Sequence, residues 1–186
     1  MKALLRGTDL VGLPVVTMAG DDIAEVRDVV FDANAGHVVG FNLNKRGRLS
    51  GRMKESLLRE QVRGVGPAAV MVDADVELAV EDLTSGAANG NVIADRVMTD
   101  SGVQVGTVTD VVIDTATGAV VGYEVLPVDE PDERKGRRSY VPLPETGAVS
   151  GEALIVPATA VDYISSDLAG FAEAVDRYRA LLRGQG

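Results

Sequence analysis

Few residue types in this sequence could carry covalent chemistry. There is no cysteine and a single histidine, His37. Disulfides, thiolate catalysis, zinc-thiolate sites and iron–sulfur clusters are therefore excluded, as is any site needing two imidazoles from one chain. His37 follows a turn and opens an apolar run, a place for a solvated or packing imidazole rather than the base of a Ser/His/Asp triad. Gly64-Val65-Gly66-Pro67 and Gly102–Gly106 contain glycine pairs. Neither leads into a helix with dinucleotide or phosphate-loop spacing, so both read as turns. Asp129-Glu130-Pro131-Asp132-Glu133 is acidic, but it lacks the central Gly and downstream bidentate Glu of an EF-hand loop and reads as solvated. No catalytic residue, cofactor or metal is expected, and the chain is not expected to be an enzyme.

The residues that could do something else are charged. Lys45, Arg46, Arg48, Arg52 and Lys54 lie together with no acid between 45 and 54, and Arg134, Lys135, Arg137 and Arg138 form a second cluster with none between 134 and 138. These nine are half of the 18 Lys and Arg in a chain of formal charge −10. An acidic body with two basic tips is polarised enough to orient a partner. The tips read first as solvated hairpin ends that keep edge strands soluble, and second as a docking site for an acidic protein surface. Nucleic acid or anionic lipid comes last, because the tips lack interleaved aromatics and the body is acidic. Asp28 and Asp110 share strand parity with Val26/Val30 and Val108/Val112. Each is expected to turn inward and accept backbone N–H bonds where the strand bends, since a buried carboxylate must be hydrogen-bonded or protonated; a functional acid in a polar pocket is the alternative.

The elements that position these residues come in two copies. A shift of 82 aligns Val15–Leu43 with Val97–Val125 without a gap, and twelve of the 29 positions are identical. The matches include Gly20/Gly102, Asp28/Asp110, Asp32/Asp114, Gly36/Gly118 and Gly40/Gly122, which valine-rich composition alone would not place. Val65–Val72 matches Val149–Val156 at a shift of 84. Copy 1 is placed at 1–80, a small polar linker at 81–91, copy 2 at 92–164 and a helix at 165–186. Gly20 and Gly102 fall in turns where glycine takes positive φ, and Gly36 and Gly118 close turns opened by Asp32 and Asp114. Gly40 and Gly122 lie inside strand patterns and mark a bulge or bend.

Aromatics are only 4% of the 186 residues, while valine supplies 30. That composition and the turn spacing predict five or six short strands per copy. Sheets this small avoid open edges by curling into a closed or partly open barrel. From Ser165 or Ser166, Leu168, Phe171, Val175, Tyr178 and Leu182 fall at helical spacing and Gly184 can cap the end. This amphipathic stripe is expected to pack on the barrels, with another protein as the alternative. The fold class is mainly all-β: two tandem barrels and a C-terminal helix.

The run "VGTVTDVVIDTATGAVVGYEV", a charged hairpin, "YVPL" and a closing strand resemble the PRC-barrel family. "EVRDVVFDANAGHVVGFNL" repeats the pattern in copy 1, where Ser56-Leu57-Leu58 stands in place of "VPL". The family includes the cytoplasmic domain of the photosynthetic reaction-centre H subunit and the C-terminal domain of the bacterial ribosome-maturation factor. The resemblance implies small barrels that bind other macromolecules without catalytic residues. The H subunit has an N-terminal membrane helix, which this sequence does not show. The maturation factor carries a different barrel ahead of a single PRC barrel. Neither specific function transfers.

The expectation is a non-enzymatic interaction scaffold that binds a protein partner, with an RNA- or ribosome-assembly factor acting through the basic tips as the alternative. A homo-oligomer is also open. No run of 18 apolar residues predicts a membrane span, and Met1–Arg6 is too short for a signal peptide. A cytoplasmic protein is the default.

Overall fold

The computed structural model describes residues 3–32, 36–47, 51–80, 83, 92–129, 136–143, 149–150 and 153–184. The linker expected at 81–91 lies outside them, apart from Leu83. Two sheets of matching order are present. The first holds β2 (Pro14–Thr17), β3 (Asp22–Asp32), β4 (His37–Asn44), β5 (Arg52–Leu58), β6 (Val62–Val65) and β7 (Val70–Val72), in the order β5-β4-β3-β2-β7-β6. The second holds β8 (Arg96–Thr99), β9 (Gln104–Asp114), β10 (Val120–Pro127), β11 (Ser139–Pro142), β12 (Val149–Ser150) and β13 (Ala153–Val156), in the order β11-β10-β9-β8-β13-β12. In each, one parallel pair interrupts an antiparallel ladder: Val15 opposite Val70, and Val97 opposite Leu154. A 3-10 turn, Arg59–Gln61, joins the ends of the first sheet.

The repeat extends to the irregularities. β3 steps from Val26–Leu43 to Asp28–Asn42, bulging Arg27, and from Val30–Gly40 to Phe31–Val38, bulging Val39. β9 against β10 does the same at Thr109 and Val121. Each extra residue bends the strand and lets a short sheet curl. Gly20, Gly36, Gly102 and Gly118 all have positive φ. Gly40 and Gly122 sit beside the Val39 and Val121 bulges, where the neighbouring strand leaves no room for a Cβ.

One strand crosses between the copies. β1 (Leu4–Arg6), assigned above to copy 1, pairs antiparallel with β9 of copy 2, with Leu4 opposite Asp114 and Arg6 opposite Val112. Sequence order puts β1 in the first copy. The edge of β9 that it covers belongs to the second, and strand addition satisfies that edge.

The two sheets meet through equivalent hairpin tips. Val38 N–H donates to the Gly118 carbonyl at 2.9 Å, and Val120 N–H to the Gly36 carbonyl at 2.8 Å. These residues are related by the 82-residue shift, so the contact has local twofold character. Arg59 Nη2 also donates to the Ala116 carbonyl at 3.2 Å. The main hydrophobic cluster is shared: it runs from Leu10, Val15, Val38 and Phe41 of one half to Val97, Val120, Tyr123 and Leu154 of the other.

The C-terminal helix, Leu168–Gly184, buries Phe171, Ala174, Val175 and Tyr178. Asp167 caps it by accepting the Gly170 N–H at 2.7 Å. Its stripe packs on the second barrel with Leu4, Val112, Val121 and Tyr140, as expected. No helix among the described residues is long and apolar enough to cross a membrane.

Candidate functional site

The basic residues occupy the hairpins that follow the Gly40 and Gly122 strands. Lys45 continues from β4, with its N–H on the Gly51 carbonyl, and Arg52 and Lys54 lie on β5, all three exposed. Arg46 is held by Asp22 and Glu25, at 2.5 and 3.1 Å. Arg137 is exposed, whereas Arg138 reaches inward, with Nε 3.5 Å from Glu124 Oε1. Arg48, Arg134 and Lys135 lie outside the described residues. In the first hairpin Arg46 is consumed by internal pairs while Lys45, Arg52 and Lys54 face solvent; in the second, Arg138 is drawn to Glu124.

Asp28 and Asp110 do not share one environment. Asp110 is buried and behaves as expected, accepting N–H bonds from Thr8 at 3.1 Å and Val111 at 2.8 Å, and the Thr8 hydroxyl. Burial pushes its carboxyl above the ordinary carboxylate range, against the lowering effect of those donors. Asp28 contradicts the expectation. Its side chain is 51% exposed and accepts from Arg27 Nε at 2.8 Å. The reason is the covering element: the N-terminal segment supplies Thr8 to Asp110, and no described segment does so for Asp28. Asp114 accepts the Ala116 N–H at 2.9 Å and the Thr117 N–H at 3.4 Å, as its turn position predicts. Asp32 opens the corresponding turn, its carbonyl accepting the Gly36 N–H at 2.7 Å.

The polar centre of the second barrel is Glu124, which the sequence reading did not single out. It is buried on β10. Thr109 Oγ1 donates to it at 2.9 Å and the Tyr140 hydroxyl at 3.2 Å, while Arg6 approaches at 3.4 Å. Arg6 is gripped in turn by Asp9, with Nη2 to Oδ1 at 2.7 Å. The two hold each other charged: Asp9 falls below the usual carboxylate range and Arg6 rises above its own. Tyr140 is pushed up by burial and by Glu124.

The first barrel has the same framework with different side chains. The 82-residue shift puts Asn42 in the place of Glu124 and Arg27 in that of Thr109. The strand registers pair Asn42 with Ser56 as they pair Glu124 with Tyr140, and the first-barrel ladder then shifts register between Asn42 and Asn44, across Met53, Lys54 and Glu55. Asn42 is buried, and its Nδ2 has no acceptor among the described residues. It lines a groove of about 500 Å³ together with Arg27, Arg52, Met53, Lys54, Glu55 and Val80. Arg52 and Lys54 pair with no acid among the described residues. The available signal for Asn42 and Glu124 was a lone polar residue within each apolar run, Phe41-Asn42-Leu43 and Tyr123-Glu124-Val125. Arg6 gave no such signal, because its partner is 118 positions away.

No group of three or more metal-ligating side chains occurs among the described residues. No curated protein shows a significant match to the chain. A family model, PRC-barrel domain, matches twice, over residues 3–77 and 88–163. The duplicated strand order, the duplicated bulges and this double match agree, and the chain belongs to the PRC-barrel domain family, with two tandem copies.

Proposed function

We propose that this protein is a non-enzymatic scaffold that binds a protein partner through its barrel surfaces. The asymmetry between the copies carries the reading. β1 and the C-terminal helix cover the second barrel, while the first keeps Lys45, Arg52 and Lys54 exposed beside an open groove. Exposed charge beside a concavity gives a partner both steering and register. The buried carboxylates of the second barrel, Asp110 and Glu124, are committed to internal contacts that hold the N-terminal segment through Thr8 and Arg6, which suits a structural role. A cytoplasmic setting goes with this reading and rests on the sequence alone.

Affinity capture from native lysate at low salt tests it. The wild-type chain should hold a stoichiometric protein partner. Reversal of both basic tips, at Lys45, Arg52 and Lys54 and at Arg134, Lys135, Arg137 and Arg138, should release it. A partner that survives both reversals unchanged removes the role of the tips, and no protein above background removes the scaffold. The RNA-binding alternative is weaker, because Arg46 and Arg138 already face carboxylates. Retained RNA whose binding falls steeply with salt would favour it.

A further inference from the structure

We propose that the groove of the first barrel is a carboxylate site that takes an acidic side chain, Asp or Glu, from a peptide segment of the partner protein. This rests on the scaffold reading and gives its partner a chemistry. The second barrel shows what the framework does with a carboxylate. There Glu124 is the resident anion, seated by Thr109, Tyr140, Arg6 and Arg138. In the first barrel an uncharged amide, Asn42, replaces the anion. Lys54 lines the groove on the neighbouring strand, and Arg27 adds a cation at the Thr109 place. The described lining thus holds three cations, Arg27, Arg52 and Lys54, against one acid, Glu55.

The buried amide adds a second observation. Among the described residues Asn42 Nδ2 is enclosed with no acceptor, and a ligand oxygen reaching it would gain a hydrogen bond. Arg27 is occupied in part by Asp28, and Glu55 contributes one negative charge to the wall. Arg27, Arg52 and Lys54 leave the lining net positive. A carboxylate accepting from the Asn42 amide beside Lys54 and Arg52 would satisfy both demands.

The geometry favours a peptide over a free oxyanion. The lining has no helix N-terminus and no nest of backbone N–H groups for phosphate. Met53 and the highly exposed Val80 instead provide apolar flanks for the chain that bears the acid. β5 is an edge strand, and among the described residues its outer edge is paired only at Ser56, with Ala79. A segment can therefore lie alongside Arg52 and Lys54 and present its acid to the groove.

The test is NMR titration of the 15N-labelled full chain at low ionic strength with an end-blocked hexaglutamate peptide, with inorganic phosphate as a separate arm. The peptide should shift the Asn42 side-chain amide resonances. Lys54→Glu should weaken binding at least tenfold, and so should Asn42→Glu, which supplies the carboxylate in cis as Glu124 does. Because Asn42→Glu alters a buried site, the exposed pair Arg52→Gln/Lys54→Gln gives a second variant, expected to weaken binding at least fivefold. Unmoved Asn42 amide resonances overturn the proposal, as does equal binding by Lys54→Glu and the Gln pair. Phosphate that displaces the peptide at equal concentration also overturns it in favour of a plain anion site. In any of these cases the scaffold reading stands if the lysate partner is still captured, and falls separately if it is not.

Discussion

A Cβ on Gly40 would overlap the Leu57 carbonyl oxygen and the Leu83 side chain, and one on Gly122 would overlap the Val141 carbonyl oxygen and the Phe171 ring. Gly64 has open space and no positive φ. Gly40→Ala or Gly122→Ala should therefore cost about 2–3 kcal/mol through overpacking, read as a fall in the denaturation midpoint, with Gly64→Ala near neutral. The reverse holds at Ala94. Its φ is 76°, and it occupies the repeat position of Gly12, at 86°. Both donate to the equivalent carbonyl, of Val108 and Val26 respectively. Ala94→Gly should stabilise by about 1 kcal/mol, since the left-handed region disfavours a Cβ by about 1–2 kcal/mol. Asp110 makes a pH prediction. Its carboxyl is raised by burial, so the folded state binds its proton more tightly than the unfolded chain does. Its contribution to stability therefore grows as pH falls from neutral towards the ordinary Asp range and shrinks as pH rises. Wild type should gain stability relative to Asp110→Asn over that descent, measured by urea unfolding at several pH values.

At the scale of elements, one motif gives two burial patterns. β9 is buried continuously from Asp110 to Asp114 and β10 from Val120 to Val125, whereas β3 alternates. The helix and β1 cover the outer face of the second sheet, burying Val112 and Val121 from that side. Phe171→Ala should cost about 3–5 kcal/mol, because it empties a fully buried aromatic site against Gly122 and Tyr140. Deletion of Ser165–Gly186 should uncover the same face, lowering both melting temperature and monomer fraction. A deletion that changes neither would show that the helix adds nothing to the barrel. The helical period was readable because every fourth or third residue is apolar. The position of β1 was not, because three residues carry no address for a partner strand more than a hundred positions away.

Across the whole molecule, the two barrels share one apolar cluster and exchange backbone hydrogen bonds at Gly36–Val38 and Gly118–Val120. Neither barrel can unfold without exposing the other's core at that seam. Calorimetry should therefore give a single transition whose calorimetric and van't Hoff enthalpies agree. Two resolved transitions would show that the seam is weak. The backbone seam needs only the glycine turns and one N–H per tip, which leaves Asn42 and Glu124 free to differ.

The sequence by itself determined the repeat, the strand and turn order, the bends at Gly40 and Gly122 and the amphipathic helix. Each is written in local spacing, in the positive-φ demand of a turn or in the period of an apolar face. The tertiary structure alone decided that β1 adds to the other copy, that Asp110 is buried while Asp28 is exposed, and that Glu124 meets Arg6 and Arg138 while Asn42 Nδ2 meets no acceptor among the described residues. Those outcomes depend on which segment covers a residue from outside its own strand, and strand parity carries no information about the covering segment.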